Sequence, residues 1–422
     1  MPNALQAGIS SHPRSRCDSF AALLSSTEPI RAELKSALPE RPFSIHFWDG
    51  TEVPSTNGGG PRFTVRSPAA FAHALRAPGQ LGLGRAYVSG EIEVDDVDEV
   101  LDLLDSWQPP PLDRATRGRL ALAAARATGL RLPPRPPQSE LRPRGKRHSR
   151  ERDARAVRHH YDLPPEFFEL FLGPSMTYSC AVFSRGATTL EEAQETKLEM
   201  VCTKLDLKPG ERVLDIGCGW GSFAHHAAAR HGVSVVGITL SPPQAERGQR
   251  RAAELGLADR VDIRVADYRE LADEPFDAIA SIGMVEHVGS NQIDVYARQV
   301  ARLVKPRGRV LNHGIARLRH TDAEAGPFSE RYVFPDAAPL HLSRIQLALE
   351  RAGIETEHVE GLRSDYATTL KHWASNLDDN LAEALRLAGP ERLRVWRLYL
   401  RAARRGFESG FTSIYQVRGR RA

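Results

Sequence analysis

The chain has 422 residues, of which 41% are hydrophobic and 26% charged, with ordinary numbers of glycine and proline. At about 150 residues per domain, this length predicts two or three globular domains, and the composition excludes a collagen-like, wholly disordered or coiled-coil protein. Lysine and arginine number 57 against 53 acidic residues, and the resulting charge of +4 is too small to make nucleic acid the expected partner.

The four cysteines, Cys17, Cys180, Cys202 and Cys218, have no C-x-x-C spacing. This spacing predicts neither a disulfide framework nor a structural zinc site, and it favours a reducing compartment. No run of about 18 apolar residues lacks a charge, and the N-terminus lacks the pattern of a secretory signal. We therefore expect a cytoplasmic protein whose contact with the inner face of the membrane is peripheral.

Residues 1–130 predict a small α+β domain. Pro61–Pro68 is typical of a strand and Pro68–Arg76 of a helix, and residues 81–107 predict a glycine-punctuated turn, a strand and a second helix. Residues 112–132 mix leucine and alanine with basic side chains, which indicates either an ordinary solvated helix or a helix that lies on an anionic surface. Its basic residues are Arg114, Arg117, Arg119, Arg126 and Arg131.

Proline and arginine dominate residues 131–155, which predicts a basic linker because such a stretch cannot bury apolar surface. Residues 156–422 then alternate apolar runs with helical patterns, which predicts an α/β domain with a Rossmann-like, doubly wound and mostly parallel sheet and helical insertions. Ligands of such sheets bind at the carboxyl ends of the strands. The predicted strands are residues 212–216, 234–239, 261–266, 276–283 and 309–313.

The sharpest motif is Asp215-Ile216-Gly217-Cys218-Gly219-Trp220-Gly221, where a strand runs into a glycine-rich turn and then a helix. Its spacing differs from the dinucleotide pattern G-x-G-x-x-G, and no Gly-Lys-Ser/Thr follows, so neither NAD nor phosphate transfer is favoured. Asp215 and the glycines are also compatible with an ordinary tight turn. The motif resembles the first motif of class I S-adenosylmethionine-dependent methyltransferases, and Asp267 ends the third strand where adenine would lie.

The flanking segments narrow the resemblance to the cyclopropane-fatty-acyl-phospholipid synthase family, including its branch that forms 10-methylene fatty acids. The matching segments occur in the family's order and include H-H-Y-D-L (159–163), M-T-Y-S-C-A (176–181), V-E-H-V-G (285–289), R-Y-V-F-P (331–335) and D-Y-A-T-T-L (365–370). The N-terminal region, with G-L-G-R-A-Y (82–87), resembles the extra domain of members that act on phospholipids.

The resemblance implies that S-adenosylmethionine methylates the cis double bond of an unsaturated phospholipid acyl chain. A bound bicarbonate then takes a proton from the resulting cation and the cyclopropane ring closes, without a metal. A homodimer is also implied. The implied bicarbonate site comprises Cys180, Glu286, His313, Ile315 through its backbone, and Tyr366, and the implied cofactor contacts are Tyr178, Ser179, Gly217, Gly219, Thr239, Leu240, Gln244, Asp267 and Ile282.

Each of these residues also has a purely structural interpretation: Cys180, His313 and Tyr366 would serve as core residues, and Glu286 as a helix-start acid. Two segments depart from the family. Asn312-His313-Gly314-Ile315-Ala316 stands where many cyclopropane synthases read H-T-I-G, and a similar N-H-G-I pattern is typical of the 10-methylene branch, whose product requires a reductase partner. Residues 335–339 read P-D-A-A-P in place of P-G-G-x-L-P. The predicted product is a ring, with the methylene branch as the alternative.

The same residues disfavour two other functions. A nucleic-acid methyltransferase is disfavoured because the fourth strand ends in I-G-M-V-E-H, without the N/D-P-P-Y or Pro-Cys signature of such enzymes. A lipid-binding scaffold with a degenerate fold is disfavoured because Gly217, Gly219, Cys180, Glu286 and Tyr366 are all present. We therefore expect phospholipid acyl chains, and no nucleic acid, as the partner.

Overall fold

The computed structural model of the chain describes residues 26–129, 134–142, 144–161, 163–319 and 326–422. Internal contacts divide it into two compact units, residues 1–136 and 137–422. Cys17 and Arg131 lie outside the described residues. Among those that are described, no helix is both long and apolar enough to cross a membrane.

The N-terminal unit is a small α+β fold around a four-stranded sheet of order β2-β1-β3-β4, in which only β1 and β3 are parallel. Its strands are β1 (Ser44–Phe47), β2 (Glu52–Val53), β3 (Arg62–Val65) and β4 (Ile92–Val94). Its helices are α1 (Glu28–Ala37), α2 (Ala69–Arg76), α3 (Gln80–Val88), α4 (Val97–Ser106) and α5 (Arg114–Thr128).

The prediction of a glycine-punctuated turn at the start of residues 81–107 is wrong, since Gln80–Val88 form helix α3. Gly82 is buried where α3 meets α2, and a Cβ at this position would lie 2.3 Å from the carbonyl oxygen of Ala77 and 2.7 Å from that of His73. The glycine therefore serves close helix packing, a tertiary contact that local propensity does not reveal.

Helix α5 carries four of the five arginines predicted for the basic helix. It packs on the N-terminal core through Ala123, Ala124 and Ala127. Its arginines face solvent, and Leu122 is 51% exposed on the same helix. The helix therefore belongs to the folded unit and also presents a basic outer surface.

The second unit is built on a seven-stranded sheet of order β10-β11-β9-β8-β5-β6-β7. Strands β5 to β9 run parallel, whereas β11 pairs antiparallel with both β9 and β10. The strands are β5 (Arg212–Ile216), β6 (Ser234–Thr239), β7 (Val261–Val265), β8 (Phe276–Ile282), β9 (Val304–Arg317), β10 (Ile354–Gly361) and β11 (Thr412–Arg421).

Helices cover both faces of this sheet, and the predicted doubly wound α/β class is confirmed. A 3₁₀ helix, Val285–His287, follows β8. The helices are α6 (Arg150–His160), α7 (Pro165–Leu172), α8 (Leu190–Lys204), α9 (Ser222–His231), α10 (Pro242–Glu254), α11 (Ile293–Leu303), α12 (Pro327–Tyr332), α13 (Leu342–Arg351), α14 (Arg363–Asp379) and α15 (Leu381–Glu408), the last with a kink at Gly389.

Part of the predicted linker, residues 131–155, is folded in the second unit. Helix α6 begins at Arg150, and the side chain of Arg152 forms an ion pair with buried Asp336. Further toward the N-terminus, the backbone N–H of Leu141 donates to the carbonyl of Arg331. Arginines that the composition suggested to be solvated thus have partners far along the chain.

Gly82→Ala should destabilise the N-terminal unit, because the added methyl group collides with backbone that cannot rotate away. Overpacking of this kind costs about 1–3 kcal/mol. Gly118→Ala is the matched control: its Cβ would enter open space on helix α5, so it should stabilise that helix by about 0.5–1 kcal/mol. Amide hydrogen exchange measures the first effect in peptides from α2 and α3 and the second in peptides from α5. Equal protection of α2 and α3 in the two variants would contradict the packing argument.

Candidate active site

The glycine turn at the end of β5 lies at the middle of the carboxyl edge of the sheet. The backbone N–H groups of Gly217 and Cys218 both donate to the carbonyl of Ile238 on β6, at 2.9 and 3.0 Å. Gly217, Gly219 and Gly221 have φ of 79°, 55° and 86°, a region that side chains disfavour. A Cβ on Gly219 would meet no atom within 4 Å, so the turn leaves open space beside its backbone.

Two adjoining cavities, of about 130 and 60 Å³, open on this turn and share Tyr161, Gly217, Gly219, Gln244 and Gly283. All nine predicted cofactor contacts line one or both of them. Thr239, Leu240 and Asp267 line the larger cavity only, and Tyr178, Ser179 and Ile282 line the smaller one only. Residues from five segments of the chain are thus brought to one place.

Asp267 lies at the rim of the larger cavity and is already engaged by Arg269. The Nε of Arg269 donates to Asp267 Oδ1 at 2.8 Å, and its Nη2 contacts both Asp267 and Asp153 of helix α6. Helix α6 also lines this cavity with Ala156 and Val157. A carboxylate has about four lone-pair positions, so Asp267 retains capacity for a further donor.

Two buried ionisable groups at the smaller cavity, Lys197 and Asp215, are absent from the predicted site residues. The Nζ of Lys197 donates to Ser179 Oγ at 2.9 Å, and burial lowers its pKa to about 8. Burial raises the pKa of Asp215 to about 7, and its Oδ2 has no partner. A signal for Lys197 was available, since Lys197 follows Leu190 and Ala193 at helical spacing on the inner face of α8.

Cys180 is held in place by helix α14. The Thr369 hydroxyl accepts the backbone N–H of Ala181 at 3.0 Å, and the Asp365 carboxylate accepts that of Phe183 at 2.7 Å. The carbonyl of Leu362 accepts the backbone N–H of Tyr366 and lies 3.8 Å from Cys180 Sγ. The side chains of Cys180 and Tyr366 are buried, and burial raises the pKa of the Cys180 thiol and of the Tyr366 hydroxyl. Cys180 is therefore a neutral thiol at neutral pH.

Glu286 is a buried carboxyl group on the 3₁₀ helix after β8, and its Oε2 has no hydrogen-bond partner. Burial raises its pKa to about 7, and the backbone N–H groups of Glu286 and Ile315 oppose this rise. A Cβ at Gly314 would lie 2.2 Å from Val285 Cγ1 and 3.3 Å from Glu286 Oε2. Glycine at 314 thus allows the 3₁₀ helix to lie directly against strand β9.

His313 lies on β9, fully buried and paired in register with Ile282 of β8. Lys204 donates to the side-chain oxygen of Gln416 at 2.6 Å, which leaves the Gln416 amide N–H to donate to His313 Nδ1 at 2.9 Å. The proton of the neutral imidazole is therefore on Nε2, which has no partner. Burial lowers the pKa of His313 to about 3, so the ring stays neutral.

An aromatic cluster surrounds the segment that carries Tyr178 and Cys180. The ring of Tyr178 lies 5.3 Å from that of Trp373, and Trp220 lies 5.0 Å from Phe168. Tyr366 packs 4.6 Å from Phe407 in the same apolar core. The faces of these rings suit cationic groups as well as hydrocarbon.

The segment P-D-A-A-P (335–339), which departs from the family pattern P-G-G-x-L-P, also has a structural basis. Asp336 has φ of 63°, a conformation that aspartate tolerates better than most side chains. Its buried carboxylate accepts two hydrogen bonds from the guanidinium of Arg152, with Nη2 to Oδ1 at 2.6 Å. This residue therefore attaches helix α6 to the loop that completes the larger cavity.

Residues 148–417 match the mycolic acid cyclopropane synthetase family. The chain belongs to this family. It is 38% identical to a probable fatty acid methyltransferase, Rv3720, of Mycobacterium tuberculosis, over 91% of the chain and 92% of that protein. It is 35% identical to the cyclopropane-fatty-acyl-phospholipid synthase of Escherichia coli K12, over 86% and 88%.

Among solved structures, mycolic acid cyclopropane synthase CmaA1 complexed with SAH and CTAB matches with a TM-score of 0.60 and 32% identity, over 64% of the chain and 98% of that protein. As a member of this cyclopropane synthetase family, the protein is an S-adenosylmethionine-dependent methyltransferase, which confirms the predicted family and enzyme class. The individual site residues, the bicarbonate and the homodimer stay predictions.

Gly219→Val should abolish binding of S-adenosylmethionine, because the side chain would fill the open space beside the turn. Gly256→Val is the matched control: Gly256 has a similar strained φ of 70° and open surroundings but lies outside both cavities. Titration calorimetry should show affinity lost in the first variant and retained in the second. Unchanged affinity in Gly219→Val would refute the assignment of this turn.

Glu286→Gln should stabilise the folded protein at alkaline pH. Because burial raises the pKa of Glu286 from 4.5 to about 7, the folded state resists its ionisation, and stability is lost as pH rises through this range. The shift corresponds to about 3 kcal/mol, which the variant should regain at about pH 8 but not at about pH 4. Urea unfolding at both pH values measures the difference, with exposed Glu350→Gln as the control. A difference between Glu286→Gln and wild type that does not change with pH would contradict the burial argument.

Proposed function

We propose that this enzyme transfers the methyl group of S-adenosylmethionine to the cis double bond of an unsaturated phospholipid acyl chain and yields a cyclopropane. In the proposed reaction a bicarbonate ion takes the proton lost from the methylated chain. The observation that carries the proposal is a set of buried, partly unpartnered polar groups, Glu286, His313, Cys180 and Tyr366, beside an aromatic core. The naming of the Escherichia coli relative supports the phospholipid as substrate.

The cavities have the chemistry that this cofactor requires. Gly219 leaves room for a ligand beside the backbone, and Asp215 Oδ2 is a buried acceptor without a donor, as an ammonium group would require. Lys197 orients the hydroxyl of Ser179 in the same cavity. When bound, S-adenosylmethionine supplies a methyl group on a positively charged sulfur, which an aromatic surface such as that of Tyr178 stabilises.

The bicarbonate would be held by groups that the sequence comparison suggested. His313 presents Nε2–H as a donor because its Nδ1 accepts from Gln416. Glu286 has a pKa near neutrality, so in its protonated form it donates a hydrogen bond instead of repelling a second anion. The Tyr366 hydroxyl would complete the site, together with the backbone of Ile315, whose N–H is shared with the Glu286 carboxyl group. A cation formed on an acyl chain in this apolar region needs such a fixed anion nearby.

The alternative product is a 10-methylene chain, which would require a separate reductase to reach a methyl branch. Gly314 favours this alternative, because a threonine at this position, as in H-T-I-G, would collide with Val285 and displace Glu286. The names of two relatives, fatty acid methyltransferases 38% and 36% identical to this chain, agree with it. Both products arise by addition of one methyl and loss of one proton, and they differ in which carbon loses that proton.

Mass spectrometry of lipids from a host that expresses the enzyme tests the proposal. Monounsaturated phospholipid chains should gain the mass of one methylene group. Mild hydrogenation then distinguishes the products, since a methylene branch takes up hydrogen under conditions that leave the ring intact. Unchanged phospholipids together with a methylated nucleic acid or small metabolite would refute the lipid substrate.

Glu286→Gln should retain cofactor binding and lose most turnover. Glu286 would orient the bicarbonate base, and a base that is no longer correctly positioned should cost roughly 10² to 10⁴-fold in rate. Turnover of the wild type should also fall when bicarbonate is removed and recover when it is added back. Glu350→Gln serves as the control, and bicarbonate-independent turnover in the wild type would exclude the ion as the base.

We also propose that the basic surface of helix α5 brings the enzyme to anionic membranes, because the acyl chain must be taken from a bilayer. Arg114, Arg117 and Arg126 are exposed there, together with Leu122. Each basic residue near an anionic surface contributes about 1 kcal/mol, so changing these three arginines to glutamine should weaken vesicle binding roughly tenfold to hundredfold.

Sedimentation with phosphatidylglycerol vesicles measures this binding, and added salt should weaken it because exposed charges are screened. The control removes three exposed arginines from the second unit, Arg260, Arg298 and Arg344, with the same change in net charge. Equal binding by both variants would refute the role of α5.

A further inference from the structure

The structure assigns a metal site, separate from the cavities, to helices α8 and α9, and we propose that it holds a structural Zn²⁺. Among the described residues, Cys202, His226 and His231 form one group whose ligand atoms all lie within 4.8 Å of one another. The Oε2 atom of Glu199 lies 3.1 Å from Nε2 of both histidines. A thiol and two imidazoles therefore converge on one point. The Glu199 carboxylate, which contacts both imidazoles, stands beside this group as the fourth potential ligand.

The spacing of the four residues explains the convergence. Glu199 and Cys202 are three residues apart on α8 and so lie on the same face of this helix. His226 lies near the middle of α9 and His231 at its C-terminal end, and α9 packs against α8. The absence of a C-x-x-C pair in the sequence excluded only the commonest zinc motif, since this set uses a single cysteine.

The distances and the chemistry fit zinc better than a hard cation. In a tetrahedral site with bonds of about 2.1 Å, neighbouring nitrogen and oxygen ligands lie roughly 3.4 Å apart, close to the 3.1 Å between Glu199 and each histidine. Thiolate and imidazole ligands select Zn²⁺ over Mg²⁺ or Ca²⁺. Small rotations of the four side chains would complete the coordination.

The charges also balance. Zn²⁺ binding would release the thiol proton of Cys202 to solvent, and each imidazole would bind through a nitrogen lone pair with its proton on the other ring nitrogen. The thiolate and the Glu199 carboxylate then neutralise the two charges of the ion. Cys202 is buried, whereas the Glu199 side chain is 48% exposed, so the ion can enter from solvent.

The position indicates a structural role. Helix α9 begins directly after the Gly217–Gly221 turn, and α8 carries Lys197, which donates to Ser179. An ion that joins the far ends of these two helices would fix the elements that frame the smaller cavity. The four protein ligands leave no open coordination position, as is typical of structural zinc.

Metal analysis of the purified full-length chain tests the site. After exposure to Zn²⁺ and removal of loosely bound metal, plasma mass spectrometry should find one zinc per chain. Cys202→Ser and His226→Gln should each lower the retained zinc at least tenfold. Glu195→Gln is the matched control, because Glu195 lies one turn away on α8 and pairs with Arg230 outside the cluster. It should retain the full amount.

Cobalt provides a readout that a folding defect does not mimic. Co²⁺ bound to the wild type should show an intense near-ultraviolet band from the cysteine thiolate, and Cys202→Ser should lose this band. A chelator should lower the melting temperature of the wild type and of Glu195→Gln, and zinc should restore it. A wild type that retains no zinc, or variants that retain as much as the control, would show that the four residues form only a hydrogen-bonded group. These readouts do not require methyl transfer, so failure of the metal site and failure of the proposed function are distinguishable.

Discussion

Desolvation of ionisable groups at the carboxyl edge of the sheet is the constraint on which the site depends. Asp215, Glu286, His313 and Lys197 are all buried, and each has a pKa moved toward its neutral form. Burying such groups destabilises the folded state, so the surrounding fold must contribute the free energy that offsets this cost. Four parallel strands and the aromatic core do so, and they keep these side chains out of water.

The same desolvation makes the hydrogen bonds from Lys204 to Gln416 and from Gln416 to His313 decisive for the chemistry of the imidazole. Lys204 has no acceptor to offer, so its contact with Gln416 fixes the orientation of that amide, and the amide fixes the tautomer of His313. A surface histidine in this position would exchange freely between tautomers and charge states. In the buried site the ring is a neutral donor with one defined direction, which suits recognition of an anion.

The two departures from the family pattern, at Gly314 and Asp336, are accommodated by particular contacts. Gly314 makes room for Val285 and Glu286, and Asp336 takes a left-handed conformation in which it binds Arg152. The first change concerns the immediate surroundings of Glu286, which would hold the bicarbonate base. The second connects helix α6, a wall of the larger cavity, to the loop after α12.

The sequence by itself determined the family, the α/β class and the five parallel strands, because strands with buried faces and glycine turns leave strong local patterns. The nine cofactor contacts followed from the family resemblance, and the structure places all nine along the two cavities. It did not determine that G-L-G-R-A-Y is a helix, that part of the predicted linker folds as α6, or that Lys197 and Gln416 support the site. These depend on partners distant in the chain, such as the carbonyl of Ala77 for Gly82 and the carboxylate of Asp336 for Arg152. Only the tertiary structure decides such contacts, since a local pattern records the propensity of a segment and not what the fold brings against it.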